Sequence, residues 1–282
     1  MITKHKINSK DVFITEKHHH NLIPWGYGKQ NYGDLILFTL DDHIDTHEPF
    51  LSYAYNQQEN KIDEHKVKDE LDKINYKDIL TIKNAIPKLE NDEQIKTAIK
   101  TNIIEKCFII SYSNSSDSPK SFEEKKYLDN NFIDGNINYP TRPFTYPDTE
   151  IYIPENICSV GCKAAPHNDS CRIPHFNQCL ESVFWEHKLG IMEEMNSKLI
   201  NRGVFLRDYI LDIDLDYFHT RESISPSDAN IFYSIINKSK FITITKEEDF
   251  IQEWARVCKY DENLEVDYLL EKLLKHIDYA TK

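Results

Sequence analysis

Hydrophobic residues along the chain form short runs that alternate with polar segments, and these runs predict the strands of a sheet. They lie at residues 12–15, 35–40, 107–112, 209–211 and 241–245. The run at residues 35–40, Leu-Ile-Leu-Phe-Thr-Leu, is apolar almost throughout. That pattern is typical of a strand covered on both faces in a parallel sheet.

Other segments repeat their hydrophobic residues with the period of a helix. Residues 57–91 are charged and predict surface helices without obvious chemistry, from apolar positions at Val67, Leu71 and Ile74. Residues 180–199 predict a helix that packs against the sheet. Residues 263–277 predict an amphipathic helix that Asn263 could cap.

Turn-forming residues separate these elements. Residues 24–26, Pro-Trp-Gly, predict a turn, and the serine-rich residues 113–121 predict a loop. Strands that alternate with helices indicate βαβ units. We therefore predict an α/β protein, a three-layer α/β/α domain with a mostly parallel sheet that spans residues 1–282.

Composition and charge narrow the class of protein. The 282 residues, 40% of them hydrophobic, are enough to bury a sizeable core. The formal net charge of −13 disfavours partners such as nucleic acid or an anionic membrane surface and suits a cationic substrate. No apolar run approaches the roughly twenty residues of a membrane span, and the first ten residues lack the apolar stretch of a secretion signal. We expect a cytoplasmic protein.

Two acidic clusters follow predicted strands, at residues 41–47, Asp-Asp-His-Ile-Asp-Thr-His, and at residues 212–216, Asp-Ile-Asp-Leu-Asp. Alternate residues of an extended segment face the same way, so each cluster can direct three ligand groups to one point. These groups are Asp41, His43 and Asp45 in the first cluster and Asp212, Asp214 and Asp216 in the second. The carboxylates would repel one another unless cations neutralised them. The clusters thus predict one or two divalent metal ions.

An isolated Asp-x-Asp is usually a cap, a turn or a solvated edge. Two such clusters at the ends of apolar strands favour metal, because uncompensated buried charge is costly. Open α/β sheets also build their sites at the carboxyl ends of their strands. Mixed carboxylate and imidazole ligands favour two Mn²⁺ ions, with Fe²⁺ or Zn²⁺ possible. Such ions would lower the pKa of a water and orient it towards an electrophilic carbon, so we expect a hydrolase.

Three further groups are candidates for the same site. The histidines at residues 18–20 follow the first predicted strand, and His18 is the one we expect to point inward, although a solvated loop is the alternative. Glu247 or Glu248 could pair with a guanidinium, or both could be exposed charges at the start of a helix. His167 is a candidate proton shuttle, with a surface loop as the alternative.

The cysteines suggest a separate possibility. Residues 158–162, Cys-Ser-Val-Gly-Cys, are followed by soft ligands that could bind a structural zinc ion, namely His167, Cys171, His175 and Cys179. Their spacings match no standard zinc finger, which favours ordinary buried thiols. The seven glycines form neither a dinucleotide fingerprint nor a phosphate-binding loop.

The acidic motifs resemble those of the arginase and histone-deacetylase superfold, in which Asp-x-His-x-Asp and a later Asp-x-Asp hold a binuclear manganese centre. Residues 41–45 and 214–216 match them. More closely, Glu16-x-His18, Trp25 with its neighbours, residues 212–218 and Cys158-x-x-Gly161-Cys162 resemble a group whose bacterial members include peptide arginases. Those enzymes convert arginine in a ribosomally made precursor peptide to ornithine and release urea.

The resemblance implies an arginase/deacetylase-like, ureohydrolase-like single domain with a variable insertion around residues 56–156. It implies six metal ligands, which are His18, Asp41, His43, Asp45, Asp214 and Asp216. Behind the ligands we expect Asp212, His47 and Asp42. The mechanism that we predict has metals bridged through Asp45 and Asp214, a glutamate that orients the guanidinium of a peptidyl arginine, and a histidine that moves protons. The oligomeric state is left open.

The sequence departs from free-arginine arginases at His47, where they carry asparagine, and at His219, where they carry aspartate. It also lacks a recognisable motif for binding a free amino acid. Two other functions remain as alternatives. One is deacetylation or another amide hydrolysis on the same fold, for which one zinc ion usually suffices. The other is a metal-stabilised protein that binds basic peptides without turnover.

Overall fold

A computed structural model describes residues 2–111, 149–154 and 175–282. His167, Cys158, Cys162 and Cys171 lie outside these residues, as does the predicted loop at residues 113–121. The proton shuttle and the zinc segment therefore stay predictions. Of their members, His175 and Cys179 are described, and both are buried.

The described strands form a seven-stranded sheet and two small ribbons. The sheet has the order β1-β2-β11-β10-β3-β6-β7. Its strands are β1 (Ile2–Ile7), β2 (Lys10–Thr15), β3 (Ile36–Asp41), β6 (Lys106–Ser111), β7 (Ile151–Tyr152), β10 (Tyr209–Asp214) and β11 (Ile242–Thr245). The ribbons are β4 (Tyr55–Asn56) with β5 (Lys61–Ile62), and β8 (Ile200–Asn201) with β9 (Val204–Phe205).

Six strands of the sheet, β2 to β7 in spatial order, run parallel, and β1 pairs antiparallel with β2 at one edge. From β3 the chain moves outward to β6 and β7, and it later returns to β10 and passes to β11 on the other side. The topology therefore changes direction between β3 and β10. Open α/β sheets place their ligand sites in the crevice outside such a switch point.

Nine α-helices lie within the described ranges. They are α1 (Leu22–Tyr32), α2 (Leu51–Ala54), α3 (Glu64–Lys73), α4 (Ile79–Ala85), α5 (Gln94–Lys100), α6 (Ser182–Met195), α7 (Asn230–Lys238), α8 (Glu248–Glu253) and α9 (Val266–Ala280). Short 3₁₀ turns occupy His18–Asn21, Ile86–Lys88 and Leu215–Tyr217, and a π-turn occupies Trp254–Cys258.

Helices cover both faces of the sheet, and successive hydrophobic side chains of β3 pack alternately against the two sets of helices. Phe38 and Leu40 belong to a core with α6, α7 and α9, whereas Leu37 belongs to a second core with α1, α4 and α5. All six residues of β3 are buried, as the continuous apolar run predicts. The protein is thus α/β with a mostly parallel sheet, an arrangement compatible with three layers.

The structure confirms strands at all five predicted runs and helices at the three predicted segments. The turn predicted at residues 24–26 is wrong, because these residues lie inside α1. Pro24 is in the first turn of the helix, where its missing N–H is not needed. Gly28, later in the helix, allows close packing, since a Cβ there would lie 2.5 Å from the ring of Phe241.

The predicted cap of the last helix is also wrong. Helix α9 begins at Val266 after Glu265, and no side chain caps it. Two strands of the central sheet, β6 and β7, lie within residues 56–156, where we expect an insertion. No helix among the described residues is long and apolar enough to cross a membrane.

Candidate metal centre

Four parallel strands bring the candidate ligands to one edge of the sheet. Strand β3 ends at Asp41 and β10 ends at Asp214, while His18 follows β2 and Glu247 follows β11. Asn21, in the turn after β2, links this turn to β11 and β10, because it donates hydrogen bonds to Thr245 Oγ1 at 2.8 Å and to Asp212 Oδ1 at 2.9 Å. The site therefore lies outside the switch point of the sheet.

A first ligand group surrounds His18, which is completely buried. Its Nδ1 atom lies 2.9 Å from Asp45 Oδ2, 3.1 Å from Asp41 Oδ2 and 3.4 Å from Asp214 Oδ2. Ligand atoms of His18, Asp41 and Asp45 all lie within 4.8 Å of one another. One cation between them could take an oxygen from each carboxylate and the nitrogen of the imidazole.

The opposite edge of the His18 ring faces Asp212, with Nε2 2.7 Å from Oδ2. Asp212 also accepts hydrogen bonds from Asn21, from Thr39 at 2.8 Å and from Thr243. These hydrogen bonds fix the Asp212 carboxylate beside Nε2 of the His18 ring. A carboxylate in this position fixes the tautomer and orientation of a metal-binding histidine. Asp212 thus lies behind the candidate ligand His18.

A second ligand group contains Asp41, His43 and Asp216, whose ligand atoms also lie within 4.8 Å of one another. His43 Nδ1 is 3.3 Å from Asp216 Oδ2 and 3.8 Å from Asp41 Oδ1. Asp41 therefore belongs to both groups, and Asp45 belongs to the first alone. This placement corrects the predicted bridge through Asp45. Asp45 lies past the end of β3 and points to His18, whereas Asp41 is at the strand end between the two histidines.

The electrostatics of the cluster show a shortage of positive charge. Burial, and then the charges of Asp45 and Asp216, raise the pKa of Asp41 well above its ordinary value. Burial and the charges of Asp216 and Asp41 do the same to the pKa of Asp214. Burial lowers the pKa of His43, but the contact with Asp216 and the charge of Asp41 outweigh it and raise that pKa to about 10. Asp41, Asp214 and His43 therefore retain protons that a divalent cation would displace.

The residues fit a bound cation in a second respect. Asp41 Oδ2 is buried and has no hydrogen-bond partner, since its 3.1 Å contact with His18 Nδ1 lacks the alignment of a hydrogen bond. A buried carboxylate oxygen without a partner is costly. Burial lowers the pKa of His18, but Asp212, Asp41 and Asp45 outweigh it and raise that pKa well above its ordinary value. A metal ion beside Nδ1 would replace the proton there and give Asp41 Oδ2 a partner.

Two residues of the site adopt the left-handed backbone conformation, Asp45 at φ 45° and Glu247 at φ 37°. For residues other than glycine this costs on the order of 1–3 kcal/mol and is concentrated at functional sites. Because Asp45 turns in this way, the segment after Asp41 is not the regular extended strand that the alternation argument assumes. The convergence that we predict is reached by a tight loop.

The segment at residues 91–94 also belongs to the site, although we predict no chemistry in residues 57–91. Asn91 Oδ1 accepts the backbone N–H of His18 at 3.1 Å. Gln94, which is fully buried, donates to Asp45 Oδ2 at 2.5 Å. No motif could reveal these residues, because amides carry no metal-ligand pattern and their position depends on how α5 packs near the end of β2.

A cleft of about 450 Å³ opens over both ligand groups. Among the described residues, its walls contain eight carboxylates and no lysine or arginine, the acidic residues being Asp41, Asp45, Glu90, Asp92, Glu93, Asp214, Asp216 and Glu247. His43 is partly exposed there and its ring packs against Phe250 with centroids 5.1 Å apart. The cleft is therefore strongly negative and reaches the second group directly.

The structure places the two predicted glutamates, Glu247 and Glu248, in different surroundings. Glu247 is buried in the wall of the cleft, and its carboxylate accepts the His18 N–H at 2.9 Å and contacts Lys17 Nζ at 3.1 Å. Glu248 is exposed, pairs with Gln252 and does not line the cleft. Of the two glutamates, only Glu247 is thus at the site, because the turn before α8 directs Glu248 to solvent.

His47 and Asp42 lie at the margins of the cluster. His47 lines the cleft and is half exposed, with Nδ1 2.8 Å from Asp92 Oδ2. Asp42 is nearly buried beside the second group. His19 and His20 do not join either ligand group, and their rings pack against each other with centroids 4.6 Å apart.

Comparison with models of known protein families gives no match, and comparison with curated proteins gives none either.

Proposed function

We propose that this protein is a binuclear-metal hydrolase of the arginase type, a peptide arginase that converts a peptidyl arginine to ornithine and urea. One observation carries the proposal. Two ligand groups that share Asp41 lie at the bottom of an acidic cleft, outside the switch point of a parallel sheet. A shared carboxylate can bridge a pair of neighbouring metal ions.

The first position would be held by His18, Asp41, Asp45 and Asp214, and the second by His43, Asp41 and Asp216. Carboxylate and imidazole ligands in this ratio suit Mn²⁺, with Fe²⁺ or Zn²⁺ as alternatives. When bound, two such ions supply Lewis acidity and a water of lowered pKa.

The charge of the cleft supports a guanidinium substrate. A cation that enters it approaches eight carboxylates, and the described part of the wall contains no lysine or arginine. Glu247 faces this space, and each oxygen of a carboxylate can accept more than one hydrogen bond. It can therefore hold the His18 backbone and Lys17 and still accept N–H groups of a guanidinium. We assign Glu247 this orienting role.

The open mouth of the cleft supports an arginine that is part of a peptide. A volume of about 450 Å³ accommodates a long side chain, and exposed or half-exposed groups such as Glu90 and His47 border it. The chain that carries the arginine can then remain outside. We also propose that the fold is arginase-like, because of the order in which the candidate ligands follow the parallel strands.

The test is mass spectrometry of an arginine-containing peptide incubated with Mn²⁺-loaded protein. We expect ornithine and urea from the peptide and much less product from free arginine. Asp214→Ala should abolish the product, whereas Glu248→Gln, which changes an exposed carboxylate outside the cleft, should leave it unchanged. Undiminished ornithine formation by Asp214→Ala protein would overturn the mechanism.

The same assay separates the alternatives. Release of acetate from an acetyl-lysine peptide, without ornithine from the arginine peptide, would replace the proposal by a deacetylase. Affinity for the arginine peptide together with bound metal and no product would indicate a binding protein instead.

A further inference from the structure

We propose that Asp42 and His219 form a positioning pair that holds the second ligand group in the geometry needed to bind a cation. The inference rests on the proposed function, because it requires a centre with two metal positions. The carboxylate of Asp42 lies between two imidazoles. Its Oδ1 atom is 2.8 Å from His219 Nε2, and its Oδ2 atom is 3.5 Å from His43 Nε2.

This arrangement repeats the one around the first ligand group. His18 directs Nδ1 to the ligand carboxylates and Nε2 to Asp212. His43 likewise directs Nδ1 to Asp216 and Nε2 to Asp42. Each candidate metal-binding imidazole therefore has a carboxylate behind it. Such partners set the orientation and basicity of a ligand histidine, so Asp42 serves the second position as Asp212 serves the first.

The backbone of Asp42 holds the same position. Its N–H donates to Asp216 Oδ1 at 3.3 Å, and its carbonyl accepts a hydrogen bond from Ser111 Oγ at 2.7 Å. Ser111 is the last residue of β6, the neighbour of β3 in the sheet. Asp42 is thus fixed to the sheet on one side and contacts both His43 and Asp216 on the other.

His219 gives the pair its rigidity. The side chain is only 4% exposed, and its ring lies against the rings of Phe176, Trp254 and Tyr260, with centroids 3.9, 4.7 and 5.7 Å away. The 2.8 Å contact with Asp42 and the packing of the three aromatic rings both restrict the imidazole.

The enclosure also reaches the ligand Asp216. Trp254 packs on His219 and donates from Nε1 to the carbonyl oxygen of Asp216 at 3.0 Å. A displaced His219 ring would therefore disturb Asp42 directly and Asp216 through Trp254. None of these contacts involves His18, Asp45 or Asp212. The pair acts on the second position and leaves the first unaffected.

The variant His219→Phe keeps an aromatic ring in the enclosure and removes the ring nitrogens. The matched control is His276→Phe in α9, which removes a partly buried imidazole that contacts Tyr233 and the Ile224 carbonyl away from the site. Asp42→Asn is a second variant of nearly unchanged shape, which keeps the test valid if His219→Phe does not fold. Mn²⁺ is titrated into metal-free protein by calorimetry, and the electron paramagnetic resonance spectrum is recorded at two equivalents.

Wild-type protein and His276→Phe should bind two equivalents and show the spectrum of a coupled Mn²⁺ pair. His219→Phe and Asp42→Asn should bind the first equivalent with little change and the second about 10–100-fold more weakly, with the spectrum of isolated Mn²⁺. If both variants bind the second equivalent as wild type does, the positioning pair is overturned and the proposed function stands. If wild-type protein binds no second equivalent, both proposals are overturned.

Discussion

His18 Nε2 lies 2.7 Å from Asp212 Oδ2, and both side chains are completely buried. This contact determines which atom of His18 is available to a metal. Asp212 accepts three further hydrogen bonds, from Asn21, Thr39 and Thr243, which fix its carboxylate beside Nε2. Nε2 of His18 therefore contacts Asp212, and Nδ1 is the ring nitrogen that faces the ligand carboxylates.

The variant Asp212→Asn tests this relationship. An amide is a weaker acceptor than a carboxylate and brings an N–H into a pocket that already contains three donors. We expect the affinity for the first Mn²⁺ to fall about 10–100-fold, as losses of such supporting carboxylates usually do. Calorimetric titration measures it, with Asp34→Asn, an exposed partner of Lys29, as the control. Equal affinities in the two variants would contradict this role.

The centre could be predicted from the sequence to the extent that parallel strands determine it. Carboxyl ends of parallel strands meet at one edge, so runs that end near His18, Asp41 and Asp214 had to bring these residues together. The period of two along β10 predicts that Asp212 and Asp214 face the same side of the strand. Local pattern and chain direction were sufficient for these residues.

The remaining features of the candidate site depend on packing and turns that the local hydrophobic pattern does not describe. Gln94 reaches Asp45 only because α5 packs near the end of β2, and Asp41 rather than Asp45 is shared because Asp45 turns into the left-handed region. The 3₁₀ turn after β2 selects His18 over the two following histidines. The contact between Gln94 and Asp45 joins segments 49 residues apart, and the two turns have no signature in the hydrophobic pattern.

The shared position of Asp41 leads to a second prediction. Asp41→Asn should lose both metal ions, whereas Asp45→Asn should lose the first and retain the second, since only Asp41 belongs to both ligand groups. Elemental analysis of desalted protein gives the metal content per chain. Complete metal loss in Asp45→Asn with partial loss in Asp41→Asn would reverse the assignment of the shared ligand.

Removal of the Asp41 charge should stabilise the metal-free protein. Burial and the neighbouring charges raise the pKa of Asp41, so its ionised form is unfavourable in the folded chain. In the presence of a chelator, Asp41→Asn should therefore unfold with a free energy about 1 kcal/mol higher than that of wild type, a typical gain when a functional site is relieved of strain. Denaturant unfolding followed by circular dichroism measures it. A destabilised variant would show that the carboxylate is compensated without metal.

A third prediction concerns pH and the metal-free protein. His43 has a folded-state pKa raised from 6.5 to about 10, so its protonation contributes stability that is complete below pH 6.5 and is lost as the pH rises through about 10. The raised pKa values of Asp41 and Asp214 act in the same direction. We expect the thermal midpoint of chelator-treated protein to fall from pH 6.5 to pH 10.

Mn²⁺ should reduce this fall, because it takes over the role of the protons. Binding of Mn²⁺ near pH 7.5, a value within the window above, should accordingly release protons, which calorimetry in buffers of different ionisation enthalpy detects. The control is Glu248→Gln, whose exposed carboxylate lies outside the cleft and should leave both curves unchanged. Proton uptake on Mn²⁺ binding would contradict the assignment.

A final prediction concerns Gln94, the buried amide that donates to Asp45 at 2.5 Å. Gln94→Leu has similar volume but cannot donate, and Asp45 would lose a hydrogen bond that holds its left-handed turn in place. We expect the first Mn²⁺ to bind about tenfold more weakly, while the second, which does not use Asp45, changes little. The matched control is Gln252→Leu, which removes an amide that donates to the exposed Glu248. Equal weakening of both Mn²⁺ equivalents would mean that Gln94 supports the fold of the whole loop rather than Asp45 alone.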